Sequence, residues 1–320
     1  MKNFRQKAVI GIILGVLLMI SACQHEQNII ETPENDSSSE KPTAEPEITQ
    51  SKTQKPAPTC TCTEEPTAVE TSIPASGTIS SDDIYWQAGF ETGNLKEYED
   101  AQGEFLRQSQ YGSYEITTRN AKAGAFSAAL TIDTSQLSQG RSAAAYLAYY
   151  DNPMEAYYSG WIFIPEEVEP QSWWNIWQWK STYNGNSDDS LPMWSLDLGD
   201  NGGGNADTLE MSLVYRPDDD IGDVKVWYDD PQAVIPKGEW VHISTYYVKS
   251  AGSDGVVGVW INGEQVFFVE NAHTVLSDNT LYWSVNNYTD NISPSPTTIY
   301  FDELVISKIR IEPGIDIPRN

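Results

Sequence analysis

The sequence predicts an all-β fold, a sandwich of two antiparallel sheets, over residues 84–311. Three observations carry this. Short segments rich in aromatic and β-branched residues recur throughout that span, as pleated, half-buried strands require. Turn clusters such as NGGGN, RPDDD, IPKG and ING separate them. No long segment sustains the 3.6-residue apolar period of a helix, so almost no helix is expected. Many short strands in one block of this length fit two packed sheets in a single domain. No internal repeat of fixed period is visible.

Taken from the N-terminus, residues 1–22 stand outside this domain. MKNFRQK is a basic head, AVIGIILGVLLMI an apolar run too short to span a bilayer comfortably, and SAC a small-residue site, the three parts of a secretory signal. Ile20-Ser21-Ala22-Cys23 also resembles the lipobox of bacterial lipoproteins, which implies a lipid anchor on Cys23 and an extracytoplasmic, membrane-anchored protein. An ordinary signal peptide with a chance cysteine is the alternative. Residues 23–80 are rich in Thr, Pro, Ser and Glu, with almost nothing apolar to bury, and predict a disordered stalk. As a flexible coil it would average about 40 Å end to end. Cys60 and Cys62 in TCTCT offer too few ligands for zinc and read as exposed thiols or a local disulfide. The folded part contains no cysteine.

The formal net charge of −27 disfavours nucleic acid and strongly sulphated polyanions as partners and fits a soluble surface protein, expected to be monomeric. The folded domain is expected over 81–312, with a tail at 313–320. Its candidate strands run in order IYWQAGF, SYEITT, FSAALTI, SAAAYLAYY, AYYSGWIFI, WWNIWQWK, MWSLDL, TLEMSLVY, DVKVWY, WVHISTYYV, VVGVWIN, QVFFVE, TLYWSVN and TIYFDELVIS. The most unusual is Trp173-Trp174-Asn175-Ile176-Trp177-Gln178-Trp179-Lys180. Strict alternation puts Gln178 and Lys180 on one face with Trp174 and Ile176, and Trp173, Trp177 and Trp179 on the other, in the core.

Read in order, FETGNL, YYSGWIFIPEEV, NIWQWKS, GEWVHISTYYVKSAGSDGVVGVWINGEQVF, LYWSVNNYTD and TIYFDELVIS resemble the heparin lyase I-like group of polysaccharide lyases over nearly all of residues 84–308. The resemblance implies a concanavalin A-like jelly roll whose concave sheet holds a polysaccharide. It further implies β-elimination on a uronic acid, with no organic cofactor. That chemistry needs a neutraliser for the C6 carboxylate, a base for the C5 proton and an acid for the departing O4.

Jelly-roll lyases, alginate lyases included, resemble one another at three active strands, and here each is altered. The Gln-x-His motif reads Gln178-Trp179-Lys180, with lysine in place of histidine. The Tyr-rich motif reads Tyr282-Trp283-Ser284-Val285-Asn286-Asn287-Tyr288. An alginate-lyase-like register makes Tyr288 the catalytic tyrosine, and a heparin-lyase-like register puts Asn286 there. The Arg-x-Glu-x-Arg motif keeps Arg141 but has Ala143 and Ala145 at the other two positions. The implied catalytic set is Lys180, Tyr288, Gln178 and Arg141, with Asn286, Tyr282, Ser284 and Tyr149 contacting substrate and Tyr146 a further aromatic platform. Tyr288 would be the acid, and Lys180 or the same tyrosine the base; a lysine base requires a pKa lowered by burial, which nearby carboxylates oppose. The chain's only histidines are His25, His242 and His273, and His242 after GEWV is expected to be structural, so a histidine mechanism is not expected.

Two other functions fit the same fold. One is a carbohydrate-binding lipoprotein that has kept the groove and lost catalysis, since binding needs only aromatic platforms and hydrogen-bonding groups. The other is a glycoside hydrolase, for which Asp197 and Asp200 in MWSLDLGD form the nearest carboxylate pair. Finally, the opening FE-x-G turn and closing Asp strand of such sandwiches imply a structural calcium at Glu91, Gly93, Asn94 and Asp302, with ordinary edge-strand acids as the alternative. The acidic RPDDDIGD loop, Asp218 to Asp223, reads as a solvated turn.

Overall fold

The computed structural model describes residues 78–95, 97, 104–108, 111–149, 152–182, 190–199, 204–205, 207–216, 226–276 and 280–318. All fall in the unit spanning Pro66–Asn320. The expected signal segment, Cys23, His25, the stalk up to residue 77, Cys60, Cys62, Asp200 and the Asp218 to Asp223 loop lie outside the described residues; the last three stalk positions, 78–80, are described, and the burial of Ile79 assigns them to the domain.

A 3₁₀ turn at Ser81–Asp83 precedes the strands. They are β1 (Ile84–Ala88), β2 (Glu104–Gln108), β3 (Gly112–Thr117), β4 (Ser127–Ile132), β5 (Ala143–Tyr149), β6 (Glu155–Phe163), β7 (Glu169–Pro170), β8 (Trp174–Thr182), β9 (Ser190–Leu198), β10 (Gly204–Asn205), β11 (Thr208–Tyr215), β12 (Val226–Pro236), β13 (Trp240–Val248), β14 (Gly255–Ile261), β15 (Glu264–Ala272), β16 (Thr280–Thr289), β17 (Ile292–Ser293) and β18 (Thr297–Ser307). The predicted all-β class holds, and the strands form two large antiparallel sheets.

The first sheet has the order β15-β14-β13-β6-β18-β4-β3, with β1 also on β18. The second has the order β10-β11-β9-β8-β16-β5-β2, with β12 on β11. Strands distant in sequence are neighbours in both, as in a jelly-roll sandwich. β7 and β17 make a separate small pair.

The inner faces bury a core heavy in aromatics. Trp179 of the second sheet stacks on Tyr247 of the first, 4.6 Å between centroids, and Trp283 packs on Tyr158 at 5.4 Å. Such pairs add about 0.5–1.5 kcal/mol each beyond their buried area. Asn287 is a polar member of this core. Its side chain accepts from Trp174 Nε1 and donates to the carbonyls of Leu130 and Thr297, tying the second sheet to the first through a fully buried amide. Residues beyond 312, set apart as a tail in sequence, belong to the domain. Ile315 is buried beside Ile79, Val305 and Ile311, and Gln87 Nε2 donates to the Pro318 carbonyl.

Candidate active site

The outer face of the second sheet carries the site, and the backbone register shows why. β16 alternates without interruption against β5, so Tyr282, Ser284, Asn286 and Tyr288 face outward while Trp283, Val285 and Asn287 face the core. β8 behaves differently. Between Asn175 and Trp177 its register slips against both neighbours. That bulge puts Ile176 and Trp177 together in the core, with Trp174 and Trp179, and turns Asn175 outward with Gln178 and Lys180. The expected companions of Gln178, Trp174 and Ile176, are therefore corrected to Asn175, and Trp173, expected in the core, is partly exposed beside Tyr288, because an extra residue inverts a period-two pattern.

Outward positions line up in rows across the strands. One row runs Ala144, Tyr288, Asn175, Asp197, Ser212, Asp229. A second runs Ala148, Ser284, Gln178, Ser195, Val214, Trp227. A third pairs Tyr282 with Lys180. Although this is the solvent side of the sheet, Asn175, Gln178, Ser284, Asn286, Ser195 and Asp197 are all buried, so the rows form a shielded polar floor.

The floor satisfies itself by hydrogen bonding, as buried polar groups must. Gln178 Nε2 donates to Ser284 Oγ at 3.2 Å, and that hydroxyl donates to Asn286 Oδ1 at 2.7 Å. Asn286 Nδ2 donates to Asn175 Oδ1, and Asn175 Nδ2 to Asp197 Oδ1 at 2.8 Å. Arg216 completes the chain, donating to Ser195 Oγ at 2.7 Å and pairing with Asp197 Oδ2 at 3.1 Å. A primary amide has two N–H groups. Gln178, Asn175 and Asn286 each spend one on this network.

The two ends of the floor, one with Lys180 and the other with Tyr288, are far apart. Lys180 lies directly across from Tyr282, its Nζ 6.0 Å from the ring centroid, and both adjoin the Gln178–Ser284 pair. Tyr288 stands six residues further along β16, about 20 Å at the usual strand rise. There it packs edge-on against Trp173 (4.7 Å) and Tyr146 (5.5 Å). The C5 proton and O4 of one elimination sit on adjacent carbons, so Lys180 and Tyr288 cannot serve the same step. The residue that the structure sets across from Lys180 is Tyr282, not Tyr288. Asn286, the other register's choice, is buried in the floor between the two ends.

Two further expectations do not hold. Arg141 lies in an exposed turn before β5, three residues beyond the Tyr288 row. Ala143 and Ala145, its expected motif partners, are fully buried in the core, because the outward positions of β5 are Ala144, Tyr146 and Ala148. The same parity buries Tyr149, which packs on Trp86 at 4.9 Å and contacts no ligand from there. Sequence reasoning missed Asn175, hidden by the bulge, and Arg216, which precedes an acidic loop and carries no local signal. Asp197 is the hydrolase candidate, but Asn175 and Arg216 already occupy its carboxylate.

The residues expected to hold calcium form a different device. Glu91 accepts from the amides of Ala125 and Phe126, and Asp302 from those of Lys122, Ala123 and Glu303. Gly93 closes the turn at φ +70°, and Asn94 bonds back to Thr92. Carboxylates turned toward amide hydrogens clasp the 122–126 loop from two sides; those hydrogens repel a cation, so these residues do not fit one. Among the described residues no group of three His, Cys, Asp or Glu gathers. His242, on the first sheet's outer face, packs against Trp161 at 5.0 Å, and burial pushes its pKa down to about 3. His273 contacts Tyr215 and stands away from the floor.

Comparison with known proteins agrees with this fold. The polysaccharide lyase family profile matches residues 90–305. No curated protein matches the chain. Among solved structures, the endo-β-1,4-glucuronan lyase from the fungus Trichoderma reesei is similar, with 14% identity and a TM-score of 0.52 over 70% of this chain and 95% of that one. The alginate lyase vAL-1 from Chlorella virus has 12% identity and a TM-score of 0.48 over 71% of this chain and 100% of that one. At such identities the glucuronan lyase likeness establishes the sandwich alone. The family match, spanning both sheets and every row of the floor, is what decides membership: the chain belongs to the polysaccharide lyase family.

Proposed function

We propose that the outer face of the second sheet binds a uronic-acid polysaccharide and cleaves it by β-elimination, with Lys180 and Tyr282 as the proton-transfer pair. The observation that carries this reading is their direct cross-strand placement beside Gln178. The neutral amine of Lys180 takes the C5 proton. The C5–H electrons form the C4–C5 double bond, the C4–O4 bond breaks, and the Tyr282 hydroxyl protonates the departing O4. Proton exchange between the resulting ammonium and phenolate resets the site. The remaining N–H of Gln178 faces the C6 carboxylate and offsets the charge that grows on it. Tyr288, Tyr146 and Trp173 supply aromatic surface for sugar rings at the far end of the floor. The protein's own acidity favours carboxylated over sulphated chains as substrate. The lipidated Cys23 would hold the domain at a membrane surface, and a Cys23→Ser chain recovered in the membrane fraction would contradict that anchor.

The test is absorbance of the unsaturated product with polyglucuronate, alginate and heparin. Product from either uronate polymer is expected. No product, with the domain still retained on an immobilised uronate polymer, would refute catalysis and leave a binding protein.

A further inference from the structure

The outer face of the first sheet holds a second cleft, of about 240 Å³, roofed by the C-terminal residues 311–317 and unrelated to the polar floor. Its wall is Trp161, with Lys122 Nζ over the ring at 3.8 Å and His242 edge-on beside it. Glu303, Glu312 and Asp316 complete the lining. His242 is 2% exposed, yet its Nδ1 has no hydrogen-bond partner. An unpaired buried polar atom costs about 1–3 kcal/mol, so a fold that tolerates one beside a cavity has left a place for a partner. Glu303 adds a second cost, holding φ at +48° in a bulge of β18.

Elimination narrows the ligand. No group of three His, Cys, Asp or Glu gathers among the described residues, and the Lys122 ammonium at the wall repels a cation. An anion would meet the carboxylates of Glu303 and Asp316 against one lysine, since Arg310 and Glu312 are paired with each other. The cleft is smaller than the about 300–1,000 Å³ of drug-sized sites. What remains is a small uncharged molecule whose groups both donate and accept, matching an ammonium, carboxylates and a neutral imidazole around an aromatic wall.

We infer that this cleft is a second carbohydrate site, which takes one neutral pyranose unit through the side chains of Trp161, Lys122 and His242. It would hold an uncharged glycan while the opposite sheet engages the acidic one.

The chain has three histidines, so ring nitrogen signals are few and His242 is assigned by its loss in His242→Phe. The full chain is titrated with methyl glucoside and, separately, methyl glucuronide, following the ring ¹⁵N shifts. The expected result is a saturable shift of His242 with the glucoside and affinity at least about tenfold weaker for the glucuronide, from carboxylate repulsion. Trp161→Ala and Lys122→Met should each abolish the shift. Lys122→Met keeps the backbone amide that Asp302 uses, so it answers even if the tryptophan variant does not fold. No response to either sugar, an equal or stronger response to the glucuronide, or an unchanged glucoside shift in Lys122→Met overturns the assignment. None of these outcomes depends on lyase activity.

Discussion

The two outer faces of the sandwich solve the same problem in opposite ways. Each is a sheet surface turned from the core and yet shielded. On the second sheet the shielded positions are amides, hydroxyls and one ion pair, bonded continuously from Gln178 to Arg216. On the first sheet they are rings: Tyr157 against Tyr246 at 4.7 Å, Trp161 against His242 at 5.0 Å and Phe163 against Trp240 at 5.6 Å. Between those rings Ser159, Ser244 and His242 keep polar atoms unpaired. A continuous polar network holds its members in fixed orientations and can present spare N–H groups to a charged substrate. A ring-covered face holds its few polar atoms without such a network. The comparison predicts that catalysis and electrostatic sensitivity belong to one face, and packing and pH sensitivity to the other.

The largest expected effect tests the first half. Lys180→Met or Tyr282→Phe should lower kcat by about 10²–10⁴, the range of a lost proton-transfer group, with Tm unchanged. Comparable activity in either variant would remove the pair from the mechanism. Next, Arg216→Met should destabilise the fold by about 3 kcal/mol in denaturant titration, because it leaves the buried Asp197 without its cation.

The opposing face should answer to pH instead. His242 protonates at about 3 when folded and near 6.5 when unfolded, because burial disfavours the imidazolium. Below pH 6.5 the unfolded chain binds a proton that the folded chain does not, so stability falls as pH falls toward 3. Replacing His242 with Phe should remove that slope, on the order of 1 kcal/mol per pH unit, and leave stability at pH 8 equal or higher. Asp302 works against it. Burial pushes this carboxyl up to about 7, against the lowering effect of the Ala123 and Lys122 amides, so its contribution is unfavourable above 7 and relieved as pH falls toward 4. The wild-type profile should therefore be flatter between pH 4 and 6.5 than that of the His242→Phe protein; a parallel pair of profiles would contradict the His242 assignment, and a flat His242→Phe profile the Asp302 one.

Smaller effects sharpen the map. Tyr288→Phe should change kcat by less than about tenfold, since the ring remains and the hydroxyl is remote from the Lys180 row. A loss as deep as that of Tyr282→Phe would relocate the chemistry to the Tyr288 end. Chelator should leave Tm unchanged, because Glu91 and Asp302 are held by amides.

Much was readable without coordinates. The period-two pattern of TLYWSVNNY placed Tyr282, Ser284, Asn286 and Tyr288 on one face, and the structure agrees because β16 runs regularly against β5. The same reasoning misplaced Trp174 and Ile176, and it aligned Arg141 with Ala143 and Ala145 as though all three faced a ligand.

The sequence by itself determined the sandwich, the aromatic core and the polar residues available to a binding face, since these follow from composition and alternation within single strands. Only the tertiary structure decided that Lys180 meets Tyr282, that Asn175 turns outward, and that Arg216 reaches Asp197. Register and bulges are set by hydrogen bonding to strands far away in the chain, and a slip of one residue reverses every side chain beyond it.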